Sequence, residues 1–193
     1  MSKIGEIIKT EKVNEGQKAR YPYSDEYETP QKQGYVFDGW KFNGQVMHPP
    51  FNDETQNPFG PINGDTNITA VWDKIDSLHC ETTRYTLTCD GEDLREDRTL
   101  VSYWLSTVSG KTIAEGVEIE PVVDSDVEQY PIYIISGDDR VENGKNIRAL
   151  FVAPNEDSHE KYYKFKAVTN ADIYGIQMES DVITLVQEGK SGS

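Results

Sequence analysis

Hydrophobic and polar residues alternate along much of this chain. The clearest case is the run in which Tyr163, Phe165 and Ala167 alternate with Lys164 and Lys166. A period of two is typical of a β-strand with one buried face. Further β-prone runs lie at 82–89, 99–106, 117–123, 131–136, 147–153 and 182–187. The pattern therefore predicts an all-β fold.

Turn signals separate these runs. Ser109-Gly110 and Asn143-Gly144 are two of them, because Gly and Asn accept the left-handed conformations that tight turns need. Seven short strands with such turns predict an immunoglobulin-like β-sandwich over residues 78–189, followed by a flexible tail at 190–193. Trp104 is the predicted core aromatic residue of this sandwich.

Two β-prone runs near the start of the chain each end in tryptophan. Residues 34–40 read Gly-Tyr-Val-Phe-Asp-Gly-Trp, and residues 65–72 read Asp-Thr-Asn-Ile-Thr-Ala-Val-Trp. These two motifs, in this order and after Pro30, resemble the Listeria–Bacteroides repeat, also called the internalin B-repeat. The resemblance implies a small β-grasp-like domain over residues 13–74 with an adhesive or stalk role and no catalytic residues.

The aromatic residues of this first domain define its expected core. Two indole rings are a large apolar content for a unit of some sixty residues. We expect Trp40 and Trp72 to form the core, with Tyr35 and Phe37 beside them. A short polar linker at 75–77 would then lead to the sandwich.

The loop at 43–64 is rich in proline and asparagine, so it excludes a helix or a central strand. Its apolar residues are Met47, Phe51 and Phe59. They either tuck under the loop as a satellite cluster or form an exposed contact patch. If they form an exposed patch, these three residues mark a candidate contact loop.

Residues 1–12 place Ile4, Ile7 and Ile8 at a spacing that suits one apolar helical face. This segment is either a frayed terminus or first strand, or an arm that orders on a neighbouring subunit. The start of the chain lacks the apolar stretch of a signal peptide. No apolar run approaches the ~20 residues that a membrane span requires.

The net charge of −15 is concentrated in the second half. Residues 1–74 carry 8 Lys and Arg against 11 Asp and Glu, whereas residues 75–193 carry 11 against 23. Nucleic acid and anionic membranes both require a basic face, so neither is an expected partner.

Little in the sequence indicates chemistry. If residues 80–89 form one strand, the Cα atoms of Cys80 and Cys89 lie roughly 30 Å apart at ~3.3 Å per residue, so we expect two free thiols. The segment 138–146 is the best candidate for a calcium loop, although it also fits a solvated hairpin turn. No nucleophile elbow, P-loop or zinc-hydrolase motif is present, so we expect neither an enzyme nor a cofactor.

Two functions fit these expectations. The first is a non-enzymatic virion protein of a tailed bacteriophage, such as a capsid decoration, head-fibre or tail-associated subunit bound to other virion proteins. The run from Asp181 to Gly189 resembles the last strand of immunoglobulin-like and BACON modules in gut Bacteroidetes and their phages, which favours a phage of such hosts. The second is a fragment of a bacterial surface adhesin that binds a host protein or glycan.

Overall fold

The fold was analysed in a computed structural model, which describes residues 10–19, 30–48, 57–85, 88–89, 92–93, 97–123, 134–136, 139–152 and 161–187. The chain divides into two compact units. Unit 1 comprises Met1–Ile75 and Ile173–Gly175, and unit 2 comprises Asp76–Asp172 and Ile176–Ser193. The predicted arm with Ile4, Ile7 and Ile8, and the predicted tail at 190–193, lie outside the described residues.

The protein is all-β, as the alternation predicts. The described strands are β1 Tyr35–Phe42, β2 Gln45–Met47, β3 Thr69–Tyr85, β4 Thr88–Cys89, β5 Glu92–Asp93, β6 Asp97–Thr107, β7 Thr112–Ile113, β8 Val117–Pro121, β9 Ile134–Ser136, β10 Arg140–Glu142, β11 Lys145–Val152, β12 Lys161–Thr169 and β13 Ile183–Gln187. The helix α1, Ala171–Tyr174, is a single turn. The β-grasp-like and immunoglobulin-like assignments stay predictions.

In unit 1, β1 pairs antiparallel with β2 on one side and with the first part of β3 on the other. A bulge interrupts the second pairing, because Phe37 lies opposite Trp72 whereas Gly39 already lies opposite Val71. Gly39 has a φ of 139°, which side chains rarely adopt. The extra residue places Trp40 on the same face of the sheet as Phe37.

That shared face forms the core of unit 1. Trp40, Phe42 and Phe59 are 7%, 4% and 1% exposed and form one cluster. The ring of Phe37 lies edge-on to Trp40 at 5.2 Å and to Trp72 at 5.7 Å, so it connects the two indoles. Trp72 itself is only partly buried.

The loop end that carries Phe59 is held by the chain before β1. Backbone hydrogen bonds run from Ala19 N to Phe59 O and from Ile62 N to Gln17 O, at 2.8 and 2.9 Å. The Asn57 amide donates to the carbonyl of Ala19 at 2.7 Å. These bonds satisfy main-chain polar groups beside a buried aromatic ring. Burying such groups without a hydrogen-bond partner would cost free energy.

Unit 1 also includes residues from late in the chain. The backbone N–H of Gly34 donates to the carbonyl of Tyr174 at 3.2 Å, and Ile75 N donates to Gly34 O at 3.0 Å. Tyr174 is 3% exposed. The residues predicted as a linker, 75–77, lie within β3, and the division between the units falls after Ile75.

Unit 2 contains two larger sheets. One has the order β10-β11-β6-β3, with β7 added to β6 and β9 added to β11. The other has the order β13-β12-β8. The two strands β4 and β5 form a separate pair. The pairings of β11 with β10, β6 and β9 are antiparallel, as are those of β12 with β8 and β13, of β6 with β7 and of β4 with β5. Local turns can connect antiparallel neighbours.

The inward faces of these sheets supply the core of unit 2. Val101 and Leu105 of β6, and Phe165 and Ala167 of β12, are fully buried. The amide of Asn146 donates to the carbonyls of Ala114 and Tyr103 at 2.8 and 3.3 Å. It thereby fixes a loop against β6 and β11.

Candidate functional site

One face of β3 and β6 brings two serine hydroxyls and one imidazole of unit 2 together. Successive side chains of a strand point to opposite faces, so Ser77 and His79 share one face of β3. Trp104 and Ser106 share the corresponding face of β6. This face is opposite to the one that carries Val101 and Leu105. Trp104 is buried, at 7% exposure, but it lies on the other side of β6 from these two residues.

These side chains form a closed hydrogen-bond network. The Nε2 atom of His79 lies 2.9 Å from Ser106 Oγ and 3.0 Å from Ser77 Oγ, and the two hydroxyl oxygens are 3.0 Å apart. Both hydroxyls also reach Asp76 Oδ2, Ser77 at 3.2 Å and Ser106 at 3.5 Å. The network therefore links strands whose residues are 27 to 30 positions apart.

The imidazole is further held by an aromatic ring. His79 stacks on Trp104 with a centroid distance of 4.7 Å and an interplanar angle of 8°. The ammonium group of Lys145, on β11, lies 3.9 Å from the centroid of the same indole. Trp104 is 7% exposed. It is covered too well to act as an open stacking surface for a ligand.

The arrangement differs from a catalytic triad in its connections. A Ser–His pair at 2.9 Å has the distance of an activated nucleophile. In a triad, however, the carboxylate holds the opposite imidazole nitrogen and fixes the tautomer. Here Asp76 accepts from the hydroxyls, so it competes with His79 for the serine protons. The geometry favours a polar cross-strand tie.

A second polar group lies on the inward face of β11. Arg148 donates to Asp139 through Nε at 2.8 Å and Nη2 at 3.1 Å. This bond to Asp139 raises the pKa of Arg148. Burial raises the pKa of both Tyr103 and Tyr163, and the positive charge of Arg148 opposes that rise.

The same ion pair bears on the predicted calcium loop. Asp139 is bound to Arg148, and Glu142 accepts from Arg140 at 3.1 Å. Asn143 and Gly144 form the turn between β10 and β11. Among the described residues, no three His, Cys, Asp or Glu side chains are grouped to hold a metal ion.

Cys80 lies on the opposite face of β3 from His79 and makes no disulfide. Burial raises the pKa of its thiol from the usual 9.0 to about 11, although hydrogen bonds with Ser180 and the backbone of Ala167 oppose the rise. The thiol is therefore held in its neutral, unreactive form. The side chain of Cys89 is outside the described residues.

The structure separates the residues of the predicted contact loop. Met47 is partly buried at the end of β2, and Phe51 lies outside the described residues. Phe59 is a core residue at 1% exposure. For Phe59 the tucked arrangement is the one observed, because its ring packs edge-on against Phe42 at 5.8 Å.

The aromatic residues predicted to define the first core occupy two environments. Trp40 is buried, whereas Tyr35 and Trp72 are partly exposed. The ammonium group of Lys32 lies 3.9 Å from the Tyr35 centroid and 6.0 Å from the Trp72 centroid. Phe37 and Trp72 meet at 70°, so their rings do not form a flat platform for a sugar.

Sequence reasoning missed the network around His79. The local signal was the pair Ser77 and His79 at positions i and i+2, followed by the polar residue Ser106 two positions after Trp104. Neither pair indicates the other without the knowledge that β3 neighbours β6.

Comparison of the chain with models of known protein families finds no match, and neither the curated proteins nor the solved structures match it. The resemblance to the Listeria–Bacteroides repeat thus rests on the residues at 34–40 and 65–72. Within the described part of the chain, no helix has the length and apolar character needed to cross a membrane.

Proposed function

We propose that this protein is a non-enzymatic structural component of a tailed-phage virion. Its role would be a capsid decoration, head-fibre or tail-associated subunit that binds other virion proteins through its β-units. Two compact units within one all-β chain support a role in display and contact. The resemblance of residues 34–40 and 65–72 to an adhesive or stalk repeat supports the same class of function.

The observation that carries the proposal is the use of the Ser77, His79 and Ser106 side chains. In the part of unit 2 that the structure describes, these groups are the best suited to catalysis, and they bond to one another across β3 and β6. Asp76 binds the serine hydroxyls and does not orient the imidazole. Function must be argued from a site, and the bonds between these side chains support a structural role, in which they join two strands.

Purified particles test the proposal directly. An antibody against this chain would be used on density-banded particles from a lysate of the host that carries the gene. We expect the protein to band with the particles at a fixed ratio to the major capsid protein and to resist a high-salt wash. Recovery of the protein only in the soluble fraction or in the host envelope would contradict the virion role.

The arm hypothesis has a separate test in the same particles. A chain that lacks residues 1–12 is expected to fold but to be lost from the banded particles, because Ile4, Ile7 and Ile8 would no longer dock. Full incorporation of the shortened chain would exclude the arm while leaving the virion role intact. Recovery in the host envelope would favour the adhesin alternative.

A further inference from the structure

The strand β13 ends a sheet of unit 2 and has one described neighbour, β12. The main-chain groups at its open edge can be assigned from the neighbouring bonds. Lys164 lies opposite Thr184 and accepts from Val122 N on the other side of β12. Thr184 therefore forms a non-hydrogen-bonded pair with Lys164, and its own N–H and C=O point to the open edge.

The same alternation applies along β13. Residues two apart direct their main-chain groups to the same edge, so Val186 shares the orientation of Thr184. Val182 lies immediately before the strand, and an added strand would extend the same pattern to it. One of these groups has a partner: Arg84, from β3, donates through Nη2 to the carbonyl of Val186 at 3.0 Å. An arginine thus occupies a position that an added strand would need.

The composition of this edge favours strand addition. Residues 182–187 read Val-Ile-Thr-Leu-Val-Gln, with neither charge, Pro nor Gly. Val182 and Val186 are 50% and 37% exposed. A short, uncharged, β-prone segment on an exposed edge is a template for pairing with another chain unless a charged group blocks it.

The sequence also indicates which strand would be added. Residues 182–186 are nearly symmetrical about Thr184, with valine at both ends and an aliphatic residue on either side of the threonine. An antiparallel second copy, related by a two-fold axis at Thr184, would place Val182 opposite Val186 and Ile183 opposite Leu185. A two-fold interface requires such a self-complementary surface. Like charges oppose self-association in a chain of net charge −15, but residues 182–186 carry no charge. This pairing would therefore bring no like charges of the strand together.

We propose that the open edge of β13 is a self-association surface, that it pairs antiparallel with β13 of a second copy, and that Arg84 restricts this pairing. The proposal does not depend on the virion role. In the pair, Thr184 of each copy exchanges both main-chain hydrogen bonds with its counterpart. The three-stranded sheets of two copies become one sheet of six strands.

Sedimentation of the full chain tests this proposal. Arg84→Ala, and Arg84→Gln as a second variant, should lower the dimer dissociation constant roughly tenfold, because the Val186 carbonyl loses one charge-assisted hydrogen bond and becomes open to a partner. Arg140→Ala is the matched control, since this exposed arginine binds Glu142 within β10 and not a group of β13. Near-ultraviolet circular dichroism would verify the fold of each variant. If both Arg84 variants associate no more than the wild type, the proposal is wrong.

A second substitution locates the interface. Thr184 is exposed, and Thr184→Lys in the Arg84→Ala chain would set two ammonium groups opposite each other on the axis. We expect it to abolish the gained dimer. Thr184→Cys in the same background should instead form a disulfide between the two copies at this position, because hydrogen-bonded partners lie ~5.5 Å apart between Cα atoms. A dimer that persists in the Thr184→Lys chain, together with no such crosslink in the Thr184→Cys chain, would overturn the assignment to β13.

Discussion

Gly39 is the residue on which the buried face of unit 1 depends. Its backbone forms the bulge that lets Phe37 and Trp40 point to one side of the sheet. A Cβ at this position would meet the carbonyl oxygen of Met47 on the neighbouring strand. The left-handed backbone and the close approach of β2 both require glycine here.

Gly39→Ala is expected to destabilise the protein by about 2–4 kcal/mol, because it adds a backbone clash to an unfavourable φ. Gly44→Ala is the matched control: this turn glycine has a φ of 78° but no atom within 4 Å of the added Cβ. It should cost about 1 kcal/mol from strain alone. Urea unfolding followed by tryptophan emission measures both, and equal costs would show that the bulge is not constrained by β2.

Cys80 gives a pH-dependent prediction at the same scale. Its pKa is raised to about 11, so the folded state favours the neutral thiol. The resulting stability is present below the unfolded pKa near 9 and is lost as the pH rises through 11. In a Cys89→Ser chain, alkylation of Cys80 at pH 8 should be on the order of a hundredfold slower when folded than in urea.

The control for this measurement is the pH profile of the alkylation rate. The unfolded chain should reach half of its maximal rate near pH 9, whereas the folded chain should still be rising at about pH 10. Alkylation of the folded protein as fast as that of the unfolded chain would mean that burial does not restrain the thiol.

At the scale of elements, the serine and histidine side chains act as a tie between β3 and β6. Ser106→Ala should destabilise the protein by about 1–2 kcal/mol, because Ser77, His79 and Asp76 all lose a hydrogen-bond partner. Chemical denaturation measures this cost. Ser102→Ala, on the same face of β6, should change stability by less than about 0.5 kcal/mol. A loss no greater for Ser106 than for Ser102 would exclude the tie.

Much at this scale could be predicted from the sequence. The position of β12 follows from local alternation, and the fully buried Phe165 and Ala167 lie on the face that their period of two indicates. The run at 82–89, in contrast, is divided between β3 and β4. The sequence does not indicate that Phe42 is a core residue, because the bulge at Gly39 shifts the alternation of β1 by one residue. The sequence alone does not decide whether Phe59 is buried or exposed, since its burial depends on pairing with a distant segment near Ala19.

The candidate site was harder to predict for a related reason. Ser106 and His79 are 27 residues apart in sequence, and only the order of strands brings them together. A polar network that joins two strands and a catalytic Ser–His pair also have the same residue composition, because both need a hydroxyl and an imidazole. The two differ in whether the carboxylate binds the imidazole nitrogen that faces away from the serine. Only the three-dimensional arrangement of the side chains shows this.

At the scale of the whole molecule, the domain boundary predicted from the sequence does not coincide with the boundary between the two compact units. Contiguous domains are predicted at 13–74, as the resemblance at 34–40 and 65–72 implies, and at 78–189, from the strand runs and turn signals. Unit 1, however, includes Ile173–Gly175. A Cβ on Gly175, whose φ is 68°, would lie 3.1 Å from the Cα of Gln33, so this late segment approaches the start of β1 closely.

A fragment of residues 1–75 should therefore be less stable than unit 1 in the full chain. It would lose the buried ring of Tyr174, which stabilises by roughly 1.5–3 kcal/mol, and the acceptor for Gly34 N, which contributes about 1 kcal/mol. Emission from Trp40 and Trp72 reports its urea midpoint, because the fragment lacks Trp104. The full-chain reference would carry Trp104→Phe. Residues 170–177 attached through a glycine-serine linker should restore part of the lost stability. Identical midpoints for the bare fragment and the full chain would show that unit 1 is complete without its late segment.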